Sequence, residues 1–86
     1  MSEKYHPTGR QIAAARVLLG LSQQDLAAAA SISVPTLRRM EAAQGAAPGM
    51  ANNVEAVRRA IEDQGAAFIA ENGGGAGVRL RDPRSE

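Results

Sequence analysis

Apolar side chains recur at helical spacing along most of the chain. Ile12, Ala15 and Leu19 fall three and four residues apart, and Leu26, Ala27 and Ala30 repeat the pattern. Leu37 and Met40 do so again, as do Val54, Val57 and Ile61. The residues between these runs are caps and breakers. Thr8 followed by Gln11 is a capping box for a first helix, which Gly20 ends. Ser22 caps a second helix with Asp25 in its first turn, where an acid suits the helix dipole. Ser31 and Ile32 form a short turn, and Ser33 caps a third helix with Pro35 in its first turn. Residues 42–49 are rich in Ala, Gly and Pro and read as a loop. Asn52 with Glu55 marks a fourth helix start, and Gly65 its end. The period then changes. Phe68 and Ile69 form a short apolar pair, residues 72–77 a glycine-rich turn, and Val78 to Arg81 alternate apolar and basic as a half-buried strand does.

These elements predict a mainly α fold: a compact four-helix domain with a short C-terminal β-hairpin or strand appendage. Residues 1–7 read as a flexible arm, 8–64 as the helical domain, 65–81 as the β appendage and 82–86 as a disordered tail. The 86 residues suffice for one domain with a thin stability margin. Two aromatic residues, Tyr5 and Phe68, leave the core to aliphatic side chains.

Composition removes several kinds of chemistry. Without Cys there is no disulfide, thiolate metal site or cysteine nucleophile. His6, the one His, has no neighbouring acidic cluster and reads as a mobile tail residue rather than a metal ligand. The stretch Asn72-Gly73-Gly74-Gly75-Ala76-Gly77 lacks the Lys-Ser/Thr of a phosphate loop and precedes a strand, so it reads as a turn. The carboxylates are scattered. No enzyme, cofactor or metal is expected. No apolar run approaches the roughly 20 residues that span a bilayer, and the expectation is a cytoplasmic protein.

The overall charge of +1 says little, but its distribution is uneven. Residues 4–39 carry a balance of +4 and residues 40–86 a balance of −2. A positive N-terminal half is what a phosphate-facing surface needs. The second and third helices, joined by a tight turn, would form a corner. One helix of such a corner lies across a phosphate backbone, and the other presents its N-terminal residues to base edges. Leu26 and Ile32 must then face inward, Ala27 must be small where the helices cross, and Leu37 and Met40 must face the core.

Residues Leu21-Ser22-Gln23-Gln24-Asp25-Leu26-Ala27, then Ile32-Ser33, then Thr36-Leu37-Arg38-Arg39-Met40-Glu41 resemble the lambda-repressor-like, or Xre, helix-turn-helix family. The resemblance covers about residues 8–64. It departs at Ser31, where the family usually has Gly, and at Val34-Pro35, where many relatives have polar residues. It implies sequence-specific binding of double-stranded DNA and transcriptional regulation. Helix 33–41 would lie in the major groove, with Gln23, Ser33, Val34, Pro35, Thr36, Arg38 and Arg39 as contacts. It implies that Gln23 binds a phosphate and braces the recognition helix, and that Arg16 and Glu41 form a structural ion pair. Arg38 and Arg39 can grip guanine or phosphate; Val34 and Pro35 either touch a thymine methyl or simply start the helix. Alternatives are an antitoxin that also masks a protein partner, or an interaction module that has lost DNA binding. Members of the family usually act as dimers. An open hairpin edge is a template for another chain, so Phe68, Ile69, Val78 and Leu80 are candidate homodimer contacts. The other possibility is a hairpin folded back on its own helices.

Overall fold

The structure is a computed structural model that describes residues 6–71 and 73–81. The chain forms α1 (Gly9–Leu18), α2 (Gln23–Ala30), α3 (Val34–Ala42) and α4 (Ala51–Asp63), followed by β1 (Ala66–Ile69) and β2 (Gly77–Leu80). The two strands make an antiparallel hairpin with Phe68 opposite Val78 and Ala66 opposite Leu80. The fold is the mainly helical one expected, with the hairpin at its C-terminal end.

Local chemistry starts and stops the first three helices. The Thr8 hydroxyl accepts from the Gln11 main-chain N–H at 3.0 Å, and the Gln11 side chain accepts from that of Thr8 at 2.9 Å. Ser22 and Asp25 repeat this reciprocal arrangement on α2. α1 ends in a Schellman motif: Leu21 N–H bonds the Arg16 carbonyl and Gly20 N–H that of Val17, with Gly20 at φ +74°. α4 ends at Gly65, also at positive φ.

The fourth helix starts differently from the expectation. It begins at Ala51, and its cap is Met50, which offers no side-chain hydrogen bond. Asn52 lies inside the first turn. The Met50 carbonyl, in extended backbone, takes the first N–H groups from Asn53 and Val54. The second strand likewise runs one residue earlier than the alternation suggested. Asn72 and residues 82–86 lie outside the described residues.

The end of the expected N-terminal arm is docked. Pro7 is fully buried, its carbonyl accepts from Ala47 N–H, and Thr8 pairs with Ala46. His6 Nε2 donates to the Ala47 carbonyl at 3.2 Å, so the ring is tied to the α3–α4 loop rather than belonging to a free tail. Packing overrides the polar composition here, because Pro7 is bonded through its carbonyl to Ala47, itself part of the core. Residues 1–5 lie outside the described residues.

The core is aliphatic. Ile12, Ala15, Leu26, Leu37, Met40, Val57 and Ile61 are buried at its centre, each large side chain contributing about 1.5–3 kcal/mol. The hairpin lies against α1 and α4 of its own chain. Phe68 and Val78 pack on the core, while Ile69 and Leu80 remain more than a third exposed. Gln11 fastens it: this buried side chain donates from Nε2 to the carbonyls of Ile69 at 3.2 Å and Gly77 at 2.9 Å.

α1 can lie this close to α3 because its first residue is glycine. A Cβ on Gly9 would sit 2.1 Å from the Met40 carbonyl oxygen and 2.4 Å from that of Ala43. Both are main-chain atoms that cannot swing away. Gly9→Ala is therefore expected to destabilise the fold by at least the cost of overpacking, about 1–3 kcal/mol, as read from chemical denaturation. A variant as stable as the parent would show that α1 and α3 can separate freely.

Candidate nucleic-acid interface

The corner between α2 and α3 is set by Ser31, which adopts the left-handed conformation at φ 57° and ψ 43°. Ile32 N–H then bonds the Ala27 carbonyl and Ser31 N–H that of Ala28. This is the Schellman closure that ends α1, here built on serine instead of glycine, at a conformational cost of roughly 1–2 kcal/mol. Ala27, nearly inaccessible, lets the helices approach, and Ile32 packs on the core as a half-buried side chain.

Ser33 then starts α3. Its hydroxyl accepts from Thr36 N–H at 3.2 Å and donates to Thr36 Oγ1 at 2.8 Å. Leu37 and Met40 face inward. Pro35, Arg38, Arg39 and Ala42 are exposed, at spacings of three and four residues that place them on one outward stripe. Val34 is half-buried and packs on the core, which fits helix initiation better than base contact. Thr36 is also half-buried.

One polar network fixes α3 against α1 and α2. Arg16 donates from Nε to Glu41 Oε2 at 2.8 Å and from Nη2 to Glu41 Oε1 at 3.1 Å. Its Nη1 donates to the Leu21 carbonyl at 3.0 Å, closing the α1–α2 connection. Gln23, the first residue of α2, donates from Nε2 to Glu41 Oε1 at 3.0 Å. The side chains of Arg16 and Glu41 are 18% and 7% exposed, so the pair is largely withdrawn from water. The contact of Gln23 in this network is to α3.

The charges on α3 and α4 differ in how they are paired. On α4, Arg58 is clamped by Glu55 and Glu62, and Arg59 pairs with Glu55. The carboxylates beside Arg58 raise its pKa. Among the described residues, Arg38 and Arg39 make no ion pair or hydrogen bond. Uncompensated positive charge therefore lies along the outward stripe of α3. No group of three or more His, Cys, Asp or Glu side chains comes together among the described residues.

The order and geometry of α2, the Ser31 turn and α3 now have a counterpart among known proteins: residues 12–52 match the family model described as Helix-turn-helix. Residues 12–52 are a helix-turn-helix of the lambda-repressor-like, or Xre, family. A search among curated proteins finds no match to the chain. The helix-turn-helix match takes in most of α1, the corner itself and the first residues of α4. The rest of α4 and the hairpin lie outside it. This family is one of DNA-binding regulators, and among the described residues no helix is long and apolar enough to cross a membrane.

Sequence reasoning named Arg16, Glu41, Gln23 and the two exposed arginines. It missed two contacts: the Arg16 bond to the Leu21 carbonyl and the grip of Gln11 on the hairpin. The spacing of Thr8 and Gln11 signals a cap and is silent about a second use of the same amide.

Two measurements test the network and the cap of α2. Arg16→Ala leaves the Glu41 carboxylate largely buried with Gln23 alone, and breaking such a pair costs about 3–5 kcal/mol. The low end applies here because Arg16 retains some solvent contact. A thermal melt should show the loss without DNA present, whereas an unchanged melt with lost DNA binding would make Arg16 a contact residue. At Asp25, the Ser22 main-chain N–H, and to a lesser degree its hydroxyl, hold the carboxyl below the ordinary carboxylate range. A depressed folded-state pKa contributes stability above the unfolded value, roughly 3.9, and that contribution disappears as pH falls through the folded value. The melting difference between parent and Asp25→Ala should therefore be largest near neutral pH and shrink below about pH 4. A difference that grows on acidification would contradict the cap.

Proposed function

We propose that this chain is a sequence-specific transcriptional regulator that binds duplex DNA as a homodimer, with α3 in the major groove. The observation that carries this reading is the stripe of Pro35, Arg38 and Arg39. Its arginines have no ion-pair partner among the described residues, it is exposed, and it is borne on a helix that the Arg16–Glu41–Gln23 network holds against α1 and α2. Arg38 and Arg39 would grip guanine edges or phosphates, since a guanidinium offers two parallel donors to either. Pro35 supplies an apolar surface for a thymine methyl. Thr36 and Ser33 lie at the start of α3, where hydroxyls reach the backbone of the groove, and Gln23 retains a second amide hydrogen for a phosphate.

A single helix-turn-helix reads a short site, and a two-fold pair doubles it. Residues 65–81 are the proposed dimerisation element, through Phe68, Ile69, Val78 and Leu80. Of these, Ile69 and Leu80 keep the most exposed surface in the single chain. The cytoplasm of a bacterium is the proposed site of action, in keeping with a chain that lacks Cys.

Replacing both Arg38 and Arg39 by Ala should weaken binding to genomic duplex fragments by roughly 1–3 kcal/mol for each base-reading pair lost. It should also flatten the dependence of affinity on salt, because fewer phosphates are neutralised. Gel retardation at several salt concentrations, with circular dichroism to confirm the helices, measures both. Undiminished affinity in a folded double variant would contradict the assignment.

A further inference from the structure

A two-stranded hairpin leaves the outer edge of each strand without a neighbouring strand, and the register determines what can pair along β2. Arg81 N–H bonds the Gly65 carbonyl at 2.7 Å, directly across the ladder. That fixes the phase: Gly65 with Arg81, Ala67 with Arg79 and Ile69 with Gly77 are the hydrogen-bonded pairs. Gln11 confirms it, because one amide nitrogen reaches the carbonyls of both Ile69 and Gly77, possible only where these point toward each other. The main-chain groups of Val78 and Leu80 therefore point away from β1. Among the described residues they make no other main-chain bond. β1 contacts both α1 and α4, whereas β2 contacts α1 and forms the outer strand.

We propose that β2 pairs antiparallel with β2 of a second copy, centred on Val78, joining the two hairpins into a four-stranded sheet. This rests on the homodimer reading above and specifies its interface. The centre follows from charge. Pairing through the outward groups can be centred on Val78, midway between Val78 and Leu80, or on Leu80. The second arrangement sets Arg79 directly opposite its own mate, and the third sets Arg79 opposite Arg81. Like charges in directly opposed positions are destabilising. Centring on Val78 instead places Arg79 opposite Gly77 of the other copy and Leu80 opposite Ala76. Glycine and alanine leave room for the longer side chains, and a Cβ on Gly77 would meet nothing within 4 Å. Val78 and Leu80 share the helix-facing side of the strand, so the junction extends one apolar row across both subunits. It covers part of Leu80, now 38% exposed. The outward N–H and C=O groups of Val78 in each copy are satisfied reciprocally.

Two kinds of variant test this register in the full-length chain. Val78→Cys introduces the first cysteine into the protein. At the two-fold centre the paired Cα atoms lie about 5.5 Å apart, inside the disulfide range of about 4.4–6.8 Å. Mild oxidation should convert the chain to a covalent dimer. Leu80→Cys should not, because its mate lies about 13 Å away along the strands. Gly77→Arg places arginines in opposition twice by symmetry and should weaken the dimer about tenfold by light scattering. Gly77→Arg combined with Arg79→Glu should restore it. A monomeric parent, a dimer indifferent to Gly77→Arg, or cross-linking at Leu80→Cys in preference to Val78→Cys would each overturn the proposal. Gel retardation of the same samples separates the two readings. A monomer that still retards duplex DNA fails the strand pairing alone. A cross-linked dimer that never retards DNA fails the DNA reading alone.

Discussion

The position of α3 depends on one carboxylate. Glu41, near the end of α3, takes both donors of the Arg16 fork from α1 and the amide of Gln23 from the start of α2. Arg16 in turn holds the carbonyl of Leu21, so the same guanidinium reaches the connection between α1 and α2. Three helices converge on a group withdrawn from water, where an unpaired charge is costly. The geometry is over-determined: a rotation of α3 about its axis breaks at least one charge-assisted bond. This keeps Arg38 and Arg39 directed outward while Leu37 and Met40 stay in the core.

The opposite end of α1 imposes a second constraint. Gly9 allows main chain to pack on main chain where α1 meets the end of α3, and Gln11, two residues on, caps α1 and fastens the hairpin. α1 is therefore the element that joins the α2–α3 corner to the C-terminal hairpin. An Ala-rich core makes this possible. Small side chains at Ala15, Ala27 and Ala30 bring helix axes together, which shortens the reach that polar side chains need in order to bridge them. The same smallness limits the apolar area buried, so polar links and caps carry an unusual share of the fold's definition.

Much of this was legible in the chain because its causes are local. The pairs Thr8–Gln11 and Ser22–Asp25 sit three residues apart, and Ser33 is followed by Pro35, so the starts of three helices are written in neighbouring residues. The period of Leu26, Ala27, Ala30, Leu37 and Met40 gave the buried faces of the corner. Ser31 stood out only as a departure from the Gly usual in the family, and its left-handed conformation is what that Gly would serve. Features that depend on distant contacts were not legible. Met50 caps α4 by backbone alone. Pro7 is buried, and its carbonyl bonds Ala47, far along the chain. Gln11 finds the hairpin more than fifty residues away. The phase of the β ladder, which decides the open edge, depends on the Arg81–Gly65 bond and has no signature in the alternation of Val78 to Arg81. Within the candidate interface, exposure separates Pro35 from Val34, a distinction that two adjacent apolar residues cannot show by themselves.

The central claim is that the stripe of α3, braced by Glu41, is the surface that meets DNA. A titration of isotope-labelled protein with a short duplex at low salt, followed by amide chemical shifts, addresses it directly, since non-specific phosphate contacts suffice for binding under those conditions. Shifts should concentrate at residues 22–24 and 33–39, with α4 and the hairpin little changed. Shifts concentrated on α4 or the hairpin, with the amides of Arg38 and Arg39 unmoved, would contradict it.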